Sequence, residues 1–386
     1  TFGVHLHYQT SPNVSYNTID NVAGGGTNAT SFIYGIWHQL SSNVGNFVAS
    51  NNSLIFGEDA SSGGVVGIQA TPAGQPANSI VIQNNTFRFG TFNCTGTSNL
   101  INCTGAKANN ITITGNSNIG VINKTGTTGS FYGYQNLGSG VSTGGVQTVS
   151  NNTFSNITLS GNGIFYGIEA RSNANQQQTV VITDNVISNV TAGGQLKGIN
   201  QSGGAAGSTV NNNIIAGLIN TGAATGAVNN TVTGLMLGSN ATPLSLTCYN
   251  NTISDLRGTE PVYGIWSQQG VDNKIYLNSI NNLITNTTTI GPLYGIIVNG
   301  GTMANIYNNY ISELKAPTAN GDYPIMGVYI AAGTTVNMYY NTIYLNASST
   351  GAIFGTAGVY AKTTGINFEM RNNIIVNTSN HSGNTG

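Results

Sequence analysis

Charge is what this sequence has least of. Ten Lys and Arg and 11 Asp and Glu are spread over 386 residues, 5 % of the chain, for a formal net charge of −1. An ordinary globular chain carries about 25 %. Phosphate backbones are held by clustered Lys and Arg, so a nucleic-acid surface is excluded. Cysteine is nearly missing too. Cys94, Cys103 and Cys248 are too few for a disulfide scaffold or a thiolate metal site. The four histidines, His5, His7, His38 and His381, form no triad with Ser and Asp. No apolar run reaches the roughly 20 residues of a spanning helix, and no charged-then-apolar leader opens the chain. It begins on Thr1, already in strand-like sequence, which predicts a processed or excised piece of a longer product.

What the sequence has in excess is glycine and asparagine, and both recur in phase. An apolar residue, often Tyr, precedes a Gly, and Ile or Val follows it. The glycines are Gly3, Gly35, Gly67, Gly133, Gly167, Gly198, Gly234, Gly264, Gly295, Gly327 and Gly358. Their period of about 32 residues marks a repeat architecture. A second phrase places an Asn two residues before a bulky apolar residue. Its asparagines are Asn17, Asn52, Asn85, Asn152, Asn185, Asn212, Asn251, Asn278, Asn309, Asn341 and Asn373, with Ser117 in the remaining place. Two residues on stand apolar residues throughout, Ile119 and Ile214 among them. Three residues before stands another apolar column with two lapses, at Thr114 and Thr209.

Within a phrase the apolar pattern has period 2, as in Lys274-Ile275-Tyr276-Leu277, and the runs are too short for helices. Three short strands per turn, stacked on those of the next turn, make an all-β parallel β-helix of about 12 coils. The twist of strands predicts the right-handed form. Stacking supplies a core that no single repeat can bury, so residues 1–386 read as one domain. The coil around 90–130 is irregular: its anchor Gly is missing near Asn99, and it holds two of the cysteines. The asparagines are expected to form a ladder, each amide donating to the next coil and accepting from the previous one. The glycines mark a corner with φ > 0 or a close backbone approach. No cap is recognisable at either end. Since open strand edges pair with other strands, head-to-tail continuation is expected.

Catalytic constellations are missing. Asp255 and Glu313 fall in equivalent places two coils apart, with Asn282 between them, roughly 10 Å at the 4.8 Å inter-strand spacing. The acidic pair Glu58–Asp59 has no matching acid in the next coil, and Glu169 with Lys197 reads as a surface pair. No acidic cluster is suited to calcium, and no cofactor motif appears. Cys94 and Cys103 lie in a local duplication, either as one local disulfide or as two free thiols. Aromatics flank the glycines: Tyr34, Trp37, Tyr166, Tyr263, Trp266, Tyr294, Tyr329 and Tyr360. They would contact a glycan or a neighbouring filament, or simply stack along the ladder.

The phrases Phe165-Tyr166-Gly167-Ile168 and Asn152-Thr153-Phe154-Ser155-Asn156-Ile157, at this period, resemble large secreted bacterial surface proteins built of right-handed parallel β-helix repeats. They are most similar to those exported by the type nine secretion route. The resemblance implies an extracellular or cell-surface place and a structural, adhesive role in fibres, with self-association and surface polysaccharide as partners. No sorting domain is visible, and no catalytic residue of such proteins has a counterpart here. The second reading is a carbohydrate-binding or carbohydrate-active β-helix, polysaccharide lyase or hydrolase in type.

Overall fold

The computed structural model describes residues 2–22, 31–39, 45–57, 62–71, 77–106, 108–138, 144–172, 178–223, 230–238, 245–288, 292–362 and 364–383. Glu58 and Asp59 lie outside them. Among the described residues the regular structure is β, in three parallel sheets. Each sheet has a path of twelve strands, one from each coil, and the third adds three short strands, Thr91–Phe92, Ile122–Lys124 and Arg257–Gly258, beside its path. The first sheet runs from Phe2–His7 through Ile33–Gln39 and Val65–Thr71 to Phe354–Ala361. The second runs from Asn13–Ser15 to Asn367–Arg371 and the third from Thr18–Asp20 to Ile374–Asn377. Neighbours in every sheet are one coil apart in sequence, so the chain is a β-solenoid.

The first-sheet glycines do not mark a corner. They sit mid-strand, as Gly35 does in Ile33–Gln39, and none has positive φ. Close approach is what requires them. A Cβ on Gly167 would stand 2.5 Å from the carbonyl oxygen of Gly198 and 2.8 Å from Ile187 Cδ1. The same clash recurs along the column, so the glycines of the first sheet receive the bulky side chains of the third. In the irregular coil Leu100 takes the glycine's place, because Asn99 pairs with Val66 and Ile101 with Ile68. The equivalent third-sheet residue there is Asn118, so the volumes are exchanged rather than added.

The turn between second and third sheets is uniform. The residue before each ladder asparagine has positive φ, from Tyr16 through Asn51, Asn151 and Asn250 to Asn372. Asn, Asp and Gly tolerate that conformation, and Asn and Asp can bond their own turn. The ladder itself is unbroken from Asn17 to Asn373. Asn152 illustrates it. Its Nδ2 donates to Asn185 Oδ1 at 2.9 Å and to the Ile113 carbonyl at 2.9 Å. Its own Oδ1 accepts from the backbone N and the Nδ2 of Asn116. A buried amide with all four bonds made contributes stability, whereas a half-bonded one would cost it.

Two rungs differ from the sequence reading. Asn213, not Asn212, receives Asn185 at 2.9 Å, and Asn212 is the exposed positive-φ residue beside it. Asn116, not Ser117, fills the place between Asn85 and Asn152. Shifting both registers by one removes the two lapses, since Ile113 and Val210 now stand in the inward column, both fully buried. It also ejects Ile119 and Ile214, which are 43 % and 45 % exposed. Asn118 and Ile215 stand in their places.

Candidate functional site

The aromatic columns lie on the outer face of the first sheet, in three groups. Near the start, Tyr34 and Trp37 stack at 4.6 Å, and Phe2 and His5 join them at 5.5 and 4.9 Å. In the middle, Tyr132 and Tyr166 stack at 4.9 Å with planes 8° apart, and the Lys197 ammonium stands 5.0 Å over the Tyr166 ring. Toward the end, Tyr263 meets Trp266 edge-on at 5.0 Å and Tyr294 at 5.5 Å. Tyr329 then follows at 4.8 Å from Tyr294, and Tyr360 at 5.9 Å from Tyr329. Val66 and Thr233 interrupt the column. A sugar needs a free ring face, and here most ring faces are covered by the next ring. Burial pushes the Tyr263 hydroxyl up to about 12 and raises those of Tyr166 and Tyr294 as well. The rings are therefore chiefly packing, with their edges outward.

Glu169 and Lys197 are no surface pair. The Glu169 carboxylate is buried, accepts a 2.7 Å hydrogen bond from Asn200 and stands 3.9 Å from Arg171. Burial raises its pKa, with Asn200, Lys197 and Arg171 opposing. The register places Lys197 beside Tyr166 and Asn200 beside Glu169.

Asp255, Asn282 and Glu313 have φ of 55°, 52° and 53°. They continue a column of positive φ with Asn156, Asn189 and Gly217, and Asn282 donates to the Asp255 carboxylate. The bend explains all of them. Among the described residues no group of three His, Cys, Asp or Glu could hold a metal ion.

Cys94 and Cys103 are separate free thiols, both buried. Cys94 lies 3.2 Å from Ser98 Oγ, and Cys103 faces inward beside Tyr134. In the same coil Lys124 is fully buried and gives its ammonium to the Thr128 carbonyl. Burial lowers its pKa. Nothing in the sequence singled it out.

The site that sequence reading missed lies on the second sheet. Tyr249, Tyr276, Tyr307 and Tyr339 stand in register, one per coil. The first three stack, at 5.1 and 4.7 Å with planes 5° and 4° apart. Tyr339 leaves the stack: its hydroxyl donates to Glu369 at 2.6 Å. Where the stack ends, an open cavity of about 360 Å³ forms, lined by Lys274, Asn305, Tyr307, Asn308, Tyr339 and Tyr340. Each tyrosine of the column stands two residues before a ladder asparagine, a signal carried by four consecutive coils.

No protein-family model matches the chain, and no curated protein or solved structure is significantly similar to it. Among the described residues no helix is long and apolar enough to cross a membrane.

Proposed function

We propose that the chain is a structural and adhesive segment of an extracellular fibre, one that forms or decorates a cell surface. One observation supports it above the others: the asparagine ladder and all three sheets continue through every coil without a break. Uniform stacking gives length and lateral stiffness from purely nearest-neighbour contacts. A surface with only 5 % charged residues repels its own kind weakly, which favours association end to end or along a filament. The extracellular placement and the export route rest on the resemblance to secreted repeat proteins. Surface polysaccharide as a partner rests on the same resemblance. The reading assigns no reaction, since turn geometry accounts for Asp255 and Glu313.

Electron microscopy of the purified protein tests the shaft, and immobilised protein challenged with whole cells tests adhesion. Rods that retain cells above an inert-protein control are expected. Compact globules, or no retention, would sink the reading.

A further inference from the structure

We propose that the cavity beside Tyr340 binds an uncharged, hydroxyl-rich glycan chain lying along the solenoid axis. Three independent features meet there. The first is the broken stack. Tyr307 is covered on one side by Tyr276, while no ring stacks on its other side, toward Tyr339. A free aromatic face is what the C–H face of a pyranose packs against.

The second is backbone strain in the service of exposure. The position before each ladder asparagine has positive φ, and Asn is its usual occupant. Tyr340 holds it with φ 57° and is 60 % exposed. A bulky residue in that conformation is a genuine outlier, held only where the surrounding structure imposes it. Leu277, also a bulky residue there with φ 56°, is 52 % exposed. Tyr16, in the first coil, is the third such residue, but only Tyr340 stands at the cavity, next to Asn308 one coil before it.

The third is the polarity of the rim. Asn305 and Asn308 offer amides, which both donate to and accept from hydroxyls. Asn305 is held by Asp272 at 2.9 Å and accepts from Asn337 at 2.9 Å. Among the described residues the one charge lining the cavity, Lys274, is paired with Asp272 at 3.7 Å. The site is thus neutral, which favours a neutral chain over a uronate. Its volume of about 360 Å³ falls within the usual range for small-ligand sites, about 300–1,000 Å³. The coil spacing of about 4.8 Å is comparable to the length of one pyranose, so a glycan along the axis meets one coil per sugar.

This deepens the adhesive reading by naming a ligand class. Its own test is affinity in a folded rod, not rod shape or cell retention. Titration calorimetry would use β-1,4-linked hexasaccharides of glucose, mannose and N-acetylglucosamine, with hexagalacturonate as the charged comparison. At least one neutral probe is expected to bind. Tyr340→Asn should raise the melting temperature, because Asn suits the turn, yet weaken binding at least about tenfold. Asn308→Ala should weaken it too, and Tyr166→Phe, on the first sheet, should leave it unchanged. The proposal is overturned if no neutral probe binds, if hexagalacturonate binds more tightly, or if folded Tyr340→Asn binds as the parent does. Should Tyr340→Asn not fold, unaltered binding by folded Asn308→Ala overturns it as well.

Discussion

Gly295 and Ile311 are a matched pair across the core: a Cβ on the glycine would lie 2.6 Å from Ile311 Cγ2. It would also lie 2.6 Å from the carbonyl oxygen of Gly327. The backbone obstacle cannot rotate away, so the coils must part. Gly295→Ala should therefore destabilise by about 1–3 kcal/mol, the usual cost of overpacking. Pairing it with Ile311→Val, which removes Cδ1 at 3.2 Å but leaves the γ carbons and the carbonyl, should recover only a small part. Denaturant unfolding checks both, and a Gly295→Ala chain as stable as the parent would contradict the close approach.

The ladder register gives a second prediction. Asn213 Nδ2 donates to Asn251 Oδ1 at 3.0 Å and to the Ile182 carbonyl at 3.0 Å. An aspartate there loses both donors and buries a charge against two acceptors. Asn213→Asp should cost about 3 kcal/mol or more near neutral pH. Its neighbour Asn212 has positive φ, which glycine adopts freely, and its side chain only accepts an exposed 2.8 Å bond from Asn250. Asn212→Gly should stay within about 0.5 kcal/mol of the parent. Thermal melts of the two variants decide which asparagine is the rung, and equal losses would refute the assignment.

Those two positions also show where the sequence was legible. Period and strand alternation come from chemistry that every coil must satisfy, so the solenoid and its three sheets could be read directly. In Asn211-Asn212-Asn213, however, three identical side chains offered three registers. Only the inward column three residues earlier decides among them, because Val210 is apolar and Thr209 is not. Ile119 two residues on points to Ser117 as the rung, yet in this coil the core position is the polar Asn118. Its amide replaces backbone pairing, accepting from Ser155 N at 2.8 Å and donating to Ser155 O at 2.6 Å. Such a substitution leaves no hydrophobic trace in the sequence. The second-sheet tyrosines were legible as a column but not as a cavity. That depends on Tyr339 turning toward Glu369, a contact between coils.

The thiols give a third prediction. Burial pushes the Cys103 thiol up to about 12 and raises that of Cys94. Since the thiolate is the reactive form, neither should react with an aromatic disulfide reagent in the native chain near pH 8. Cys248, fully buried, should behave alike. Three thiols should appear on denaturation without reductant. Only one would appear if Cys94 and Cys103 were bonded.

The last prediction concerns pH. Burial of Glu169 outweighs Asn200, Lys197 and Arg171, so its folded pKa lies above the unfolded one, which is about 4.3. The folded state then holds the proton more tightly. Below the unfolded pKa the carboxyl is neutral in both states and burial carries no charge penalty. As pH rises through the window up to the raised folded pKa, the unfolded chain ionises first and stability falls. Above that window the full penalty persists. Lys197 is lowered by its own burial, and near neutral pH its charge adds a constant cost. Glu169→Gln keeps an acceptor for Asn200 and removes the ionisation. It should melt higher than the parent near pH 7, and the gap should close toward pH 4. Thermal melts across that range, read as the difference between the two chains, cancel the other carboxylates. A variant that melts lower at pH 7 would mean that the attraction of Lys197 and Arg171 exceeds the cost of burial.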